Sequence, residues 1–102
     1  MGQILENGYK MKTTFWQDFT IADCFGIDAI EDTYKRSFRD WKTNTEYITE
    51  LTMVLNWKCF YYYQKNNDVL YKLYQELYWK CNDWCMNNLK GKDLIYFIKT
   101  TD

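Results

Sequence analysis

From Asp28 onward the chain places apolar side chains at Ile30, Tyr34, Phe38 and Trp41, at spacings of four, four and three. That rhythm keeps one stripe of an α-helix apolar. Lys35, Arg36, Arg39, Lys42 and Asp32 fall on the opposite side, so the segment packs on one face and turns a mostly basic face outward. Asp28 with Glu31 marks its start. Upstream, Thr14 followed by Gln17 resembles a capping box opening a short helix through Phe25. Its apolar positions are Phe15, Trp16, Phe19 and Ala22, and Gly26 fits its left-handed stop.

The polar stretch Thr43, Asn44, Thr45 breaks the pattern, and Thr45 caps a long third helix running to about Lys65. Ile48, Leu51, Leu55, Cys59 and Tyr62 form its first stripe. Met53, Trp57, Phe60 and Tyr61 cover the opposite face, which leaves Glu46, Glu50, Gln64 and Lys65 mainly at the ends. A helix apolar nearly all round is buried on two sides or meets a partner. Asn66, Asn67 and Asp68 end it and cap a fourth helix to about Lys90, with Gly91 as stop, so the two form an antiparallel hairpin. The fourth helix buries Leu70, Leu73, Tyr74, Leu77, Tyr78, Cys81, Trp84 and Cys85, while Trp79 and Met86 interrupt its polar back. The row Leu94 to Ile98 reads as a short helix capped by Asp93 or as a terminal strand, and the helix fits the preceding elements better. The expected fold is all-α, a compact single-domain bundle of four helices plus a short C-terminal helix over residues 11–102. Residues 1–10, with an Asn-Gly turn signal, read as a leader or arm: an alternative start, a cloning remnant or a short hairpin.

At 102 residues the chain holds one core, and its formal charge of -1 excludes a polybasic tail, a broadly basic DNA binder and an all-acidic DNA mimic. The aromatic share of 21% is the compositional feature to explain, since large rings serve both small cores and interface anchors. There is no His, which removes the commonest general acid or base and the commonest metal ligand. Cys24, Cys59, Cys81 and Cys85 lack the setting of a disulfide framework. Cys81 and Cys85 share a helical face at i, i+4, with Cys59 able to face them, yet without CxxC or His they read as buried small hydrophobes and no metal or other cofactor is expected. No apolar run is long enough for a membrane span and no secretion signal is recognisable, so a cytoplasmic protein without a membrane partner is expected.

The catalytic candidates are carboxylate pairs, Asp18 with Asp23 and Glu46 with Glu50, which read as exposed charges at helix turns. A Gly-rich phosphate loop, a nucleophile elbow and an E-x-x-H motif are all missing, so an enzyme is not expected and no catalytic residue is assigned. For binding, Lys35, Arg36, Arg39 and Lys42 could follow a phosphate backbone, though Asp32 and Asp40 interrupt them. The protein-binding candidates are Met53, Trp57, Phe60 and Tyr61 on the third helix, and Trp79 and Met86 on the fourth.

Three segments, TFWQDFTIADCFGIDAIEDTYKRSF (Thr14 to Phe38), YITELTMVLNWK (Tyr47 to Lys58) and NLKGKDLIYFIKTTD (Asn88 to Asp102), resemble short uncharacterised open reading frames of phages and integrative elements of gut Firmicutes. The similarity spans Met11 to Asp102, and the intervening YYYQKNNDVLYKLYQELYWKCNDWC is richer in Tyr and Cys than that group. The resemblance carries no site residues. It implies a stoichiometric binding role, in its sharpest form an anti-CRISPR-like inhibitor of a host defence complex, with a host protein or ribonucleoprotein as partner. The alternative is a small nucleic-acid-binding regulator using the basic face, and a homodimer through the rear of the third helix fits either.

Overall fold

The computed structural model describes residues 11–102; the leader or arm expected over residues 1–10 lies outside the described residues. The elements are α1 (Phe15–Asp23), α2 (Ile27–Trp41), α3 (Thr45–Gln64), α4 (Asp68–Asn88) and α5 (Lys92–Thr101). The fold is all-α, and the C-terminal row of apolar residues is a helix rather than a strand.

The long helix α3 packs against each of the other four and pairs most extensively with α4. Ile48, Leu51, Thr52, Val54 and Leu55 are shut away from solvent, which accounts for a helix apolar nearly all round: its first half is covered from several sides. Helix α4 closes the hairpin with Leu73, Tyr74, Leu77, Cys81 and Cys85, while α1 adds Phe15, Phe19 and Ala22 and α5 adds Phe97. Helix α2 lies on its expected stripe, with Ile30 and Tyr34 buried and the Phe38 ring edge-on to Trp84 at 5.3 Å. Trp41 ends that stripe exposed, against Tyr47 at 4.5 Å.

The caps differ from the sequence expectation in physically instructive ways. No capping box forms at Thr14: its hydroxyl donates to Asp18 at 3.1 Å, and its carbonyl receives the Asp18 N–H. Gly26 has φ 109 and ψ -173, outside the left-handed helical well, and serves as N-cap of α2. Only glycine adopts such a backbone readily, so α1 and α2 turn against each other in a short link. Asn44, not Thr45, caps α3, because its extended backbone lets Oδ1 accept the Tyr47 N–H at 3.1 Å. Gly91 does not stop α4, which ends at Asn88, but precedes α5 with φ 59, leaving Asp93 inside the first turn.

The α3–α4 connection is a three-residue link over residues 65–67. Asn66 takes φ 58, and the N–H groups of Asn66 and Asn67 return to the carbonyls of Tyr63 and Tyr62. This is a Schellman stop with asparagine in the left-handed position. Asn67 then caps α4 by accepting the Leu70 N–H at 3.2 Å. The two helices are thereby fixed side by side with their facing aromatic residues in register.

Glu50 is buried rather than terminal and exposed. Its carboxylate accepts the Lys12 and Thr13 N–H groups at 2.9 and 2.8 Å and the Thr13 hydroxyl, tying the chain ahead of α1 to the second turn of α3.

Because Asn66 occupies a conformation that penalises a Cβ, Asn66→Ala should cost about 1 kcal/mol in chemical denaturation. Asn66→Gly should leave stability unchanged or slightly higher.

Candidate functional site

Where α3 runs past α4 toward the hairpin turn, no helix among the described residues covers the seam completely. A groove of about 350 Å³ opens there, lined by Asn56, Cys59, Phe60 and Tyr63 from α3 and by Tyr71, Gln75, Tyr78 and Trp79 from α4. The spacing places these residues on facing stripes, since Asn56, Cys59, Phe60 and Tyr63 recur at three, one and three and Tyr71, Gln75 and Tyr78 at four and three. Phe60 is 57%, Tyr63 62% and Trp79 52% exposed. Tyr63 tilts against Tyr71 across the groove at 5.3 Å, and Tyr78 meets Trp79 edge-on at 5.1 Å. The floor is held by the Cys59 thiol, which donates to the Tyr71 carbonyl at 3.8 Å, and by Gln75, which donates to the Tyr71 hydroxyl at 3.4 Å. None of the lining residues is charged.

The expected binding residues do not form one surface. Phe60 and Trp79 meet in the groove. Met86 shares the stripe of Trp79 on α4 but lies two turns away, exposed and outside the groove. Met53 and Trp57 are half-buried, with Trp57 packed on the core. Tyr61 faces elsewhere, with its ring against Tyr62 at 5.0 Å and the Lys65 and Lys58 ammonium groups at 5.4 and 5.9 Å. Lys35, Arg36, Arg39 and Lys42 are all exposed on α2. Arg39 is paired with Asp40 at 3.0 Å and Lys42 lies 5.8 Å from the Phe38 ring, so part of that basic charge is already engaged.

A second cleft, also about 350 Å³, is lined by Trp16, Thr20, Asp23, Cys24, Lys58, Tyr61 and Tyr62. At its base lies a buried polar cluster that the sequence reading missed. Lys58 donates to Thr20 at 2.7 Å and to Asp23 at 3.0 Å, with its ammonium 4.5 Å from the Trp16 ring centre. Asp23 also accepts the Tyr62 hydroxyl at 2.6 Å and the Tyr74 hydroxyl. The side chains of Lys58 and Asp23 are 3% and 8% exposed, so the expectation that Asp23 is a solvated charge is corrected. Lysine stands at the edge of the buried stripe of α3, and its long stem lets a core position deliver a charge to α1. Hydrophobic periodicity does not register that arrangement. The usable signal was Lys58 as the one charged residue between Glu50 and Lys65.

Burial pulls Lys58 below the ordinary lysine value, against the opposing effect of Asp23. Burial also raises the phenols of Tyr62 and Tyr74, with the Asp23 carboxylate adding to it, and burial raises Tyr34.

Thr52 sits 3.1 Å from the Cys81 sulfur and 3.9 Å from that of Cys85, inside the core. The Cys85 sulfur one turn on and burial hold the Cys81 thiol above its usual range. Among the described residues no group of three or more His, Cys, Asp or Glu is placed to hold a metal ion, and no helix is long and apolar enough to cross a membrane. No family model, curated protein or solved structure matches the chain.

The buried phenols, two of them in this cluster, have a pH signature. An unfolded tyrosine loses its proton near 10.0, whereas Tyr34, Tyr62 and Tyr74 keep theirs in the fold, so above that pH the folded state binds more protons and stability falls. Lys58 acts oppositely, shedding its proton below 10.5 in the fold, but one amine is outnumbered by these three phenols and by Tyr78, which burial also raises. Thermal midpoints should therefore be flat from neutral pH to about 9 and fall steeply beyond 10. Tyr74→Phe should shallow that fall when the two proteins are scanned by circular dichroism.

Proposed function

We propose that this protein is a non-catalytic protein-binding module that works by occupying a partner, with the α3–α4 groove as its principal contact. The observation that carries the reading is the exposure of Phe60, Tyr63 and Trp79 along one uncharged groove. Large rings left in water at a concave seam are what interface anchors are made of, and an aromatic anchor in a preformed groove dominates binding energy. The charged groups that would otherwise suggest chemistry are engaged internally. Asp23 accepts three hydrogen bonds and Lys58 donates two, so the cluster supports a structural role rather than a reacting one.

The resemblance to open reading frames of mobile elements directs this proposal toward a stoichiometric inhibitor of a host defence complex, anti-CRISPR-like in mode. On this reading Lys35, Arg36, Arg39 and Lys42 steer the protein toward an acidic or RNA-laden partner, as surface charge does for association rates. A protein that worked as a nucleic-acid regulator would instead depend on those four residues for affinity itself.

The test is affinity capture from a host lysate with wild-type protein, Trp79→Ala and a variant neutralised at all four basic positions. Trp79→Ala should lose at least tenfold in partner recovered at high salt, with stability changed by less than about 1 kcal/mol because the ring is half-exposed. Met86→Ala should matter less. If Trp79→Ala captures normally and only the neutralised variant fails, with nucleic acid in the eluate that washes off with salt, the groove is not the contact and the nucleic-acid reading replaces this one.

A further inference from the structure

Resting on the reading of the groove as a protein contact, we infer that in the free protein the face containing it is covered by a second copy of this chain, the α3–α4 hairpins of two protomers packing together about a two-fold axis. The spacing of the exposed residues, their chemistry and the area they leave in water lead to this.

The groove is the central part of a longer uncharged face. On α3 an outward stripe runs Met53, Asn56, Phe60 and Tyr63, at spacings of three, four and three. On α4 it runs Gln75, Trp79, Asn82 and Met86, at spacings of four, three and four. Each of these residues is half-buried or exposed. Alternation of three and four is the spacing at which one helix seats its side chains between those of another. Two neighbouring helices that both show it present two ridges with a groove between them. A helical hairpin fits that relief, and the α3–α4 hairpin itself has the matching length.

An interface about a two-fold axis joins a surface to itself, so each group near the axis meets its own counterpart. Like charges there would repel, and a group that only accepts would face another acceptor. The polar groups of this face are the amides of Asn56, Gln75 and Asn82 and the hydroxyls of Tyr63, Tyr71 and Tyr78. Every one of them both donates and accepts, so each can pair with its equivalent in the other copy. The Trp79 indole N–H only donates, and the oxygens of those groups across the interface are there to receive it. No Lys, Arg, Asp or Glu stands in either stripe, and a formal charge of -1 on the whole chain adds little repulsion between copies. The basic outer face of α2 has no such self-complementarity.

The area suffices. With about 100 Å² left in water by each half-exposed large side chain and about half of that by each more covered one, the face holds roughly 700 Å². Two copies together bury about 1,400 Å², inside the range of about 1,200–2,000 Å² typical of specific interfaces between folded proteins. A partner that takes the groove then does so by displacing the second copy, and dilution of the dimer opens the site.

Sedimentation equilibrium of the full chain, run from micromolar to hundreds of micromolar, reads the mass directly. Wild-type protein should sediment with twice the mass of one chain. Phe60→Ala and Trp79→Ala should each weaken dimerisation at least tenfold while the helical circular-dichroism signal is retained. Ile95→Ala, which truncates a half-exposed side chain on α5, should leave the mass unchanged. A single-chain mass throughout the range overturns the inference and leaves the groove to a partner of another kind. So does a dimer that Ile95→Ala dissociates, or one that neither Phe60→Ala nor Trp79→Ala weakens. Capture of a partner from lysate is scored separately. A monomer whose capture depends on Trp79 removes the dimer and keeps the binding-module reading, whereas a Trp79-dependent dimer that captures nothing does the reverse.

Discussion

A single carboxylate holds the bundle together across three helices. Asp23, at the end of α1, accepts from Lys58 and Tyr62 of α3 and from Tyr74 of α4. Without that junction α1 would be a nine-residue helix held by Phe15, Phe19 and Ala22. A helix of this length has little stability of its own. Burying an ammonium and a carboxylate costs free energy that their attraction recovers only when geometry and additional hydrogen bonds are good. Here every partner is supplied: Thr20 and the Trp16 ring for Lys58, two phenols for Asp23. What the cluster contributes is location, because only one docking of α1 satisfies all of these groups together.

The high aromatic content divides along this line. Phe19, Tyr62 and Tyr74 surround the cluster, Tyr62 stacking on Tyr74 at 5.8 Å and Phe19 meeting it edge-on at 5.9 Å. Phe60, Tyr63 and Trp79 remain in water beyond the end of that packing. Tyr62 and Tyr74 come from the same two helices as the groove rings, and the step from Tyr62 to Tyr63 turns about 100° around α3. Anchoring the α3–α4 hairpin by α1 on one side and by the Schellman turn at its tip fixes the groove on the other. A rigid platform lowers the entropic cost that docking at such a groove would carry.

Much of the architecture was legible because it follows from period and punctuation. Ile30, Tyr34 and Phe38 and much of the broad face of α4 lie where spacing placed them, while Trp41 ends its stripe exposed, and the hairpin follows from Asn66, Asn67 and Asp68. Misreadings cluster at termini, where several small polar residues compete and backbone dihedrals decide between Asn44 and Thr45 or assign Gly91 to one helix or the next. Exposure of Trp79 was readable as a break in a polar stripe, and its sharing a groove with Phe60 was not, since that depends on how two helices are rotated against each other. Lys58 and Glu50 were hidden for a different reason. Polar residues inside apolar runs acquire meaning only through partners distant in sequence, Asp23 for one and the backbone of Lys12 and Thr13 for the other.

The most direct test of the junction is a double-mutant cycle at Asp23 and Lys58, using Asp23→Asn and Lys58→Met and reading stability from urea unfolding. Each single change should cost about 3–5 kcal/mol, because it leaves the opposite charge buried without its partner. The double variant should be no less stable than the worse single variant, giving a coupling energy of at least about 3 kcal/mol. Single costs below about 1 kcal/mol that simply add in the double variant would show that the bundle stands on its apolar core alone, and would contradict the account.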